Sequence, residues 1–194
     1  TAIEIASLGM QVHGGMGFIE ETGAAQHLRD SRIAPIYEGT NGIQAADLVS
    51  RKLGMRGGES VRELLADIDR SADELRDAGG ALATLGDRLA TANAVLRETT
   101  EWMLINGASD PNNALAGSSP YLRMLGTVVC GGLLGRSALA AGAHAEADPD
   151  GFYAAKRVSA RFFGEQILPL ATALEPAVTA GPDDLFALTP AQLG

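Results

Sequence analysis

An all-α chain is the fold class this sequence predicts, and three observations carry it. Apolar residues recur at three- and four-residue steps along most of the length. No alternating run of five residues survives outside those stripes. Breaks rich in glycine, proline and Asx residues separate the periodic stretches. Apolar residues make up 46% of 194, enough for a buried core.

The first segment has a texture of its own. Glycines are dense in "GMQVHGGMGF", residues 9–18, and polar and basic residues cluster in "QHLRDSR", 26–32. Then "IAPIYEGTNGIQAA", 33–46, carries a single charge, Glu38. A helix is expected from about 41 to 53, with Thr40 as its N-cap. "GMRGGES", 54–60, is the best internal boundary and divides the chain into 1–54 and 55–194. Residues 59–76 place Val61, Leu64, Leu65, Ile68, Ala72 and Leu75 on one stripe. Gly79 and Gly80 break the chain, and 81–105 continue with Leu82, Leu85, Leu89, Ala92, Leu96 and Met103. "NGASDPNNALAGSSP", 106–120, has turn chemistry throughout and predicts an exposed loop, with Ser119 and Pro120 as N-cap and first helical residue. The next helix is expected over about 120–146, and Asp148 and Pro149 are positioned to start another. In 152–178 the stripe is Phe152, Phe162, Phe163, Ile167, Leu170 and Leu174, with Pro169 and Pro176 kinking or ending the helix. The tail, 181–194, is at most a short helix. Four helices of about 18–27 residues with short loops predict an antiparallel bundle for 55–180.

Charge and composition exclude several functions. There are 15 basic and 24 acidic residues, a net of −9, with −2 in residues 1–53 and −7 in the remainder. Such a balance disfavours nucleic acid, whose binding depends on neutralising phosphates, and disfavours anionic membrane surfaces. One cysteine, Cys130, permits no internal disulfide and fits a cytoplasmic setting. No signal peptide is visible in "TAIEIASLGMQ", and the absence of an initial Met suggests a fragment or processed product. The longest apolar run, "MLGTVVCGGLLG" at 124–135, is shorter than the roughly 20 residues that span a bilayer. It is expected as a buried helix, with Cys130 as a small core residue and Gly131 and Gly135 admitting a close neighbour.

Few motifs offer chemistry. "HGGMG", 13–17, lacks both the third glycine of a dinucleotide fingerprint and the Lys-Ser/Thr ending of a phosphate loop. As an esterase oxyanion loop it would need a Gly-x-Ser-x-Gly elbow, which the chain does not contain. By itself it reads as a flexible turn. His13, His27 and His144 are scattered, so no metal site is expected. Glu38 has two readings. It can face the positive end of the helix that follows. Alternatively, Tyr37 and Ile36 form an apolar wall, Gly39 admits a ligand, and a partly desolvated carboxylate takes a proton from carbon. Helix dipole and desolvation would move its pKa in opposite directions.

The order of these motifs adds a resemblance. "QVHGGMGFIEETGAAQHLRDSRIAPIYEGTNGIQAADLVSRKL", 11–53, resembles the C-terminal catalytic segment of the acyl-CoA dehydrogenases. The matching motifs are Gln11 to Gly17, Arg29 to Ile33, Ile36 to Thr40, and Arg51. The resemblance implies that Glu38 is the base that removes the α-proton of an acyl-CoA thioester while the β-hydride passes to FAD, leaving a trans-2-enoyl-CoA. Its N–H would help polarise the thioester carbonyl. Tyr37 and Gly39 would line the substrate site. Gln11, Val12, His13, Gly14 and Gly15 would contact the FAD of a neighbouring subunit, which implies a homo-oligomer. Thr40 and Asn41 would contact flavin, and Gly42 stands where many relatives carry Gln. The implied setting is fatty acid β-oxidation, with an electron-accepting flavoprotein as a further partner.

The resemblance covers about 53 of 194 residues and lacks the family's preceding domains. The chain alone is therefore expected neither to hold FAD firmly nor to turn over. Residues 1–54 would be the last helices and catalytic segment of the dehydrogenase C-terminal domain. Residues 55–194 resemble the extra C-terminal helical domain of the longer members, which include bacterial fatty acyl-CoA and methylthiopropanoyl-CoA dehydrogenases. The alternative is a helical binding or scaffolding domain without activity of its own.

Overall fold

The computed structural model describes residues 2–147 and 150–192, which form helices and turns with no strand among the described residues. The helix start expected at Asp148 and Pro149 lies outside the described residues. Two compact units emerge, Thr1–Gln44 and Ala45–Gly194.

The first unit contains α1 (Ala2–Val12), the single turn α2 (Gly15–Phe18) and α3 (Ala24–Arg32). The helix α4 (Asn41–Asp47) begins at its end. Helices α1 and α3 pack against each other, yet among residues 2–44 only Gly17 and Ala25 are buried. Local bonds shape this unit. The Thr22 hydroxyl donates to the carbonyls of Met16 and Ile19, and Arg29 pairs with Glu20 at 3.3 Å. Gly17 is required by contact: a Cβ there would stand 2.1 Å from the Met10 carbonyl oxygen.

In the second unit α4 continues as a π-turn, Leu48–Lys52, whose wider winding lets Leu53 N–H donate to Leu48 O at 2.7 Å. Arg51 and Lys52 both reach Asp47, and their hydrogen bonds hold its carboxyl down to about 2. Then come α5 (Glu59–Asp77) and α6 (Gly80–Ser109), joined at Gly79 and Gly80, whose φ values of 73° and 55° suit only glycine comfortably. The expected α5 stripe is buried except for Leu64 at its edge, and every expected α6 position is buried. Each such leucine contributes roughly 1.5–3 kcal/mol of burial. Polar bonds cross the same pair. Arg62 donates to both Glu101 oxygens, at 2.6 and 2.7 Å, and lowers the Glu101 pKa. Asn93, wholly buried, donates to Leu65 O at 2.8 Å and to Asp69 at 2.6 Å, and Arg97 pairs with Asp69. Arg76 donates to Asp87 at 2.8 Å.

Three expectations need correction. The stretch 106–120 is not a loop. Helix α6 runs on to Ser109, and α7 (Pro111–Ala116) and α8 (Ser118–Ala140) follow almost without pause. Its Asx and Pro residues serve as helix caps: Asp110 accepts from Asn112 N–H at 2.9 Å, with Pro111 at the first helical position. Ser119 is inside α8 and is not its N-cap; Gly117 holds that place, where a Cβ would meet Val178 O at 2.2 Å.

The run at 124–135 is buried on one side only. Met124, Val128, Gly131, Gly132 and Gly135 face inward, whereas Leu133 and Cys130 are exposed, so Cys130 is not a core residue. Close approach at the glycines does hold: a Cβ on Gly135 would stand 2.6 Å from Leu75 Cδ1.

The third correction concerns the last column. After α9 (Gly142–Ala147) it comprises α10 (Phe152–Phe162), a π-turn at Phe163–Ile167, α11 (Pro169–Thr172) and α12 (Glu175–Thr179). Breaks fall near Pro169 and Pro176 as expected. The buried side belongs to Ala160, Gly164, Leu168, Ala171 and Val178; of the expected stripe Phe163 and Leu174 pack partly buried against it, while Phe152, Phe162, Ile167 and Leu170 are exposed. The π-turn shifts the register, and Gly164 brings the backbone against Leu85, whose Cδ1 would lie 2.3 Å from an added Cβ. A short α13 (Asp183–Phe186) follows. The bundle core thus joins α5, α6, α8 and this broken fourth column.

Candidate functional site

The turn between α3 and α4 carries Glu38. Ile33 O accepts from Ile36 N–H at 2.9 Å and from Tyr37 N–H at 3.1 Å, and Pro35 O accepts from Asn41 N–H at 3.2 Å. Two successive residues then take left-handed conformations, Glu38 at φ 56° and Gly39 at φ 84°. Glycine adopts this region freely, but a residue with a Cβ does so at a cost of about 1–2 kcal/mol. Backbone strain of this kind gathers at functional sites. The turn ends at α4, where Thr40 Oγ1 accepts from Ile43 N–H at 3.3 Å, the N-cap expected from sequence.

Gln44 was not flagged by sequence reasoning. From the first turn of α4 its Nε2 donates to the Glu38 carbonyl at 2.8 Å. A Cβ on Gly39 would stand 3.3 Å from Ile43 Cγ2 and 3.4 Å from Gln44 Nε2, a tight but yielding fit, so it is φ that calls for glycine here. The available signal was the helical position of a long amide one turn past a Glu-Gly bend, but many surface glutamines share it.

The desolvated setting expected around Glu38 is not built by this chain. Glu38 is exposed, as are Ile33 (55%), Ile36 (50%), Tyr37 (56%) and Ile43 (63%). Four large apolar side chains are thus exposed within six residues of the carboxylate in sequence. Among the described residues no ion pair or hydrogen bond engages the Glu38 carboxylate, and no acceptor takes its N–H.

Gln11, Val12, His13, Gly14 and Gly15 lie at the end of α1 and the bend into α2, all exposed. Gly14, at φ 62°, donates to Gln11 O at 2.9 Å, and added Cβ atoms on Gly14 and Gly15 would meet nothing within 4 Å. His13 and His27 lie on the wall of an open groove of about 490 Å³ between α1 and α3, with Ile5 and Gly9. No hydrogen bond among the described residues joins 11–15 to 37–41. No group of three or more His, Cys, Asp or Glu able to hold a metal occurs among the described residues.

Comparison with known proteins covers both parts of the chain. The family model "Acyl-CoA dehydrogenase, C-terminal domain" matches residues 1–53, and "Acetyl-CoA dehydrogenase C-terminal like" matches 60–189. The chain belongs to the acyl-CoA dehydrogenase family. It is 44% identical to 3-methylmercaptopropionyl-CoA dehydrogenase of Ruegeria pomeroyi over 95% of its own length and 32% of that protein's. To the broad-specificity linear acyl-CoA dehydrogenase FadE5 of Mycobacterium tuberculosis it is 29% identical, over 92% of this chain and 31% of that one. A mitochondrial short-chain specific acyl-CoA dehydrogenase of Bos taurus is 51% identical over 43 residues, 22% of this chain and 10% of its own. The chain thus spans about a third of the length of the long dehydrogenase relatives it matches. No helix among the described residues of this acyl-CoA dehydrogenase chain is long and apolar enough to cross a membrane.

Proposed function

We propose that this chain supplies the proton-abstracting segment of an FAD-dependent acyl-CoA dehydrogenase, with Glu38 as the base. One observation carries the reading. Within the family-matched segment, the sole carboxylate of an otherwise uncharged stretch is held in a left-handed turn, and among the described residues nothing pairs with its carboxylate or its N–H. Glu38 takes the α-proton of an acyl-CoA thioester onto a carboxylate oxygen. The same residue's N–H donates to the thioester carbonyl oxygen and stabilises the charge that develops there. Tyr37 and Gly39 flank it, one as apolar wall and the other as open backbone. The exposed apolar side chains around it become the water-excluding lining once upstream polypeptide covers them, and exclusion of water strengthens both contacts.

The residues present fit FAD. Gly14 and Gly15 expose backbone with no Cβ in the way, the Thr40 hydroxyl keeps its proton to donate while its lone pair caps α4, and Asn41 presents an exposed side chain. When bound, FAD supplies the acceptor for the β-hydride. Gln11 to Gly15 would hold it across a subunit boundary, in keeping with a homo-oligomer. An electron-accepting flavoprotein would be the onward partner. The substrate class is an acyl-CoA thioester, the class named in each of the relatives above. Residues 1–54 would act with the upstream domains, and 55–194 as a supporting helical domain.

The test joins Thr1 to the upstream portion of the Ruegeria pomeroyi relative and measures acyl-CoA oxidation with an artificial electron acceptor. Glu38→Gln is expected to retain flavin and lose activity by about 10³-fold or more, the scale of a lost general base. Oxidation at the parent rate would remove Glu38 from the mechanism.

A further inference from the structure

We propose that Gln44 is a positioning residue for this reaction: its amide locks the Glu38 peptide in the left-handed turn that presents the base. The inference rests on Glu38 being the base.

The bonds of the turn divide into two sets. Those from Ile36, Tyr37 and Asn41 fix its entry and its exit, and the Thr40 cap fixes the start of α4. None of them touches the peptide between Glu38 and Gly39, where the conformation is least favourable. That peptide is held by Gln44 Nε2 at 2.8 Å from the Glu38 carbonyl oxygen. Rotation about the Glu38 and Gly39 dihedrals would re-aim the carboxylate and the N–H together, because both hang on the same residue. Gly39 has no Cβ to resist such rotation, so a side-chain strut does the work that a bulkier residue would do by steric contact. The strut is rooted in the first turn of α4, whose own start is capped, and this gives it a fixed base. A shift near 1 Å in a reacting group can cost about 100-fold in rate, so loosening this peptide has leverage on turnover.

Two variants test the proposal in the same fused enzyme, alongside Glu38→Gln. Gln44→Ala is expected to lower kcat about 10- to 100-fold, with KM within about threefold and flavin content unchanged. Gln44→Glu adds a pH signature. A protonated carboxyl can donate to the Glu38 carbonyl, whereas a carboxylate only presents lone pairs to it. The kcat of Gln44→Glu relative to wild type should therefore rise as pH falls toward about 4–5, while the ratio for Gln44→Ala stays flat. In the 194-residue chain itself, Gln44→Ala should lower the amide order parameter of Gly39 from a rigid value near 0.85 toward about 0.6. Gln44→Ala at the parent kcat, with Glu38→Gln inactive, would overturn the positioning role and leave the base in place. So would a Gln44→Glu profile parallel to that of Gln44→Ala. Full activity in Glu38→Gln would remove the base, and this proposal with it.

Discussion

Residues 2–44 and the helices after them are held by different means. In the first unit, only Gly17 and Ala25 of residues 2–44 are buried, and shape comes from the packing of α1 on α3, from caps and turn bonds, and from an ion pair. In the second, wholly buried Leu65, Leu75, Leu89, Leu96, Met124 and Leu168 make a continuous core across four helical columns. The unit that carries the candidate base buries little; among the described residues of the other no group of three or more His, Cys, Asp or Glu could hold a metal. Burial scales with stability, so unfolding of the chain should report on the second unit almost alone.

Breaking the core should give the largest effect. Leu96→Ala removes a wholly buried side chain and is expected to cost about 2–5 kcal/mol in urea unfolding. Gly117→Ala comes next, at about 1–3 kcal/mol, because the new methyl meets the Val178 carbonyl, which cannot yield as a side-chain tip would. A third effect depends on pH. Burial pushes the Tyr121 hydroxyl up to about 12 despite its 2.8 Å hydrogen bond with Thr100. Its folded pKa lies above its unfolded one, so stability is full below about pH 10 and falls as pH rises from 10 toward 12. The slope is at most about 1.4 kcal/mol per pH unit. Chemical denaturation across that range should show the loss, and Tyr121→Phe should abolish it. The smallest effect belongs to the first unit. Val12→Ser, at a site 87% exposed, should change the urea midpoint by no more than about 0.5 kcal/mol equivalent. A larger loss there would mean that this unit is stabilised by more than its local bonds.

Much of the architecture was legible where periodicity was strong. The stripes of α5 and α6 and the break at Gly79 and Gly80 follow from helical spacing and glycine, and Thr40 follows from cap chemistry. The misreadings have physical causes. Asn, Asp and Pro favour turns and helix starts alike, so 106–117 could be either, and Asp110 with Pro111 chose the second. The π-turn at Phe163–Ile167 inserts a residue into the winding, so Gly164 and Leu168 turn inward with Phe163 packed beside them, while Phe162 is left exposed. At the site, Glu38 stood out as a lone charge and through the ordered motifs. Gln44 did not, since what marks it is a bond to a carbonyl six residues back, which no local sequence pattern announces.

The polar bonds between α5 and α6 have one more consequence. Their α5 members, Arg62, Asp69 and Arg76, follow one another at heptad intervals in the order plus, minus, plus, and the terminal partners on α6 are Glu101 and Asp87. Sliding the hairpin by one heptad in either sense would confront Asp69 with Asp87 or with Glu101. Each bridge is exposed and adds little on its own, but misregistered pairing would set like charges face to face, so the sequence of signs proofreads how these two helices meet.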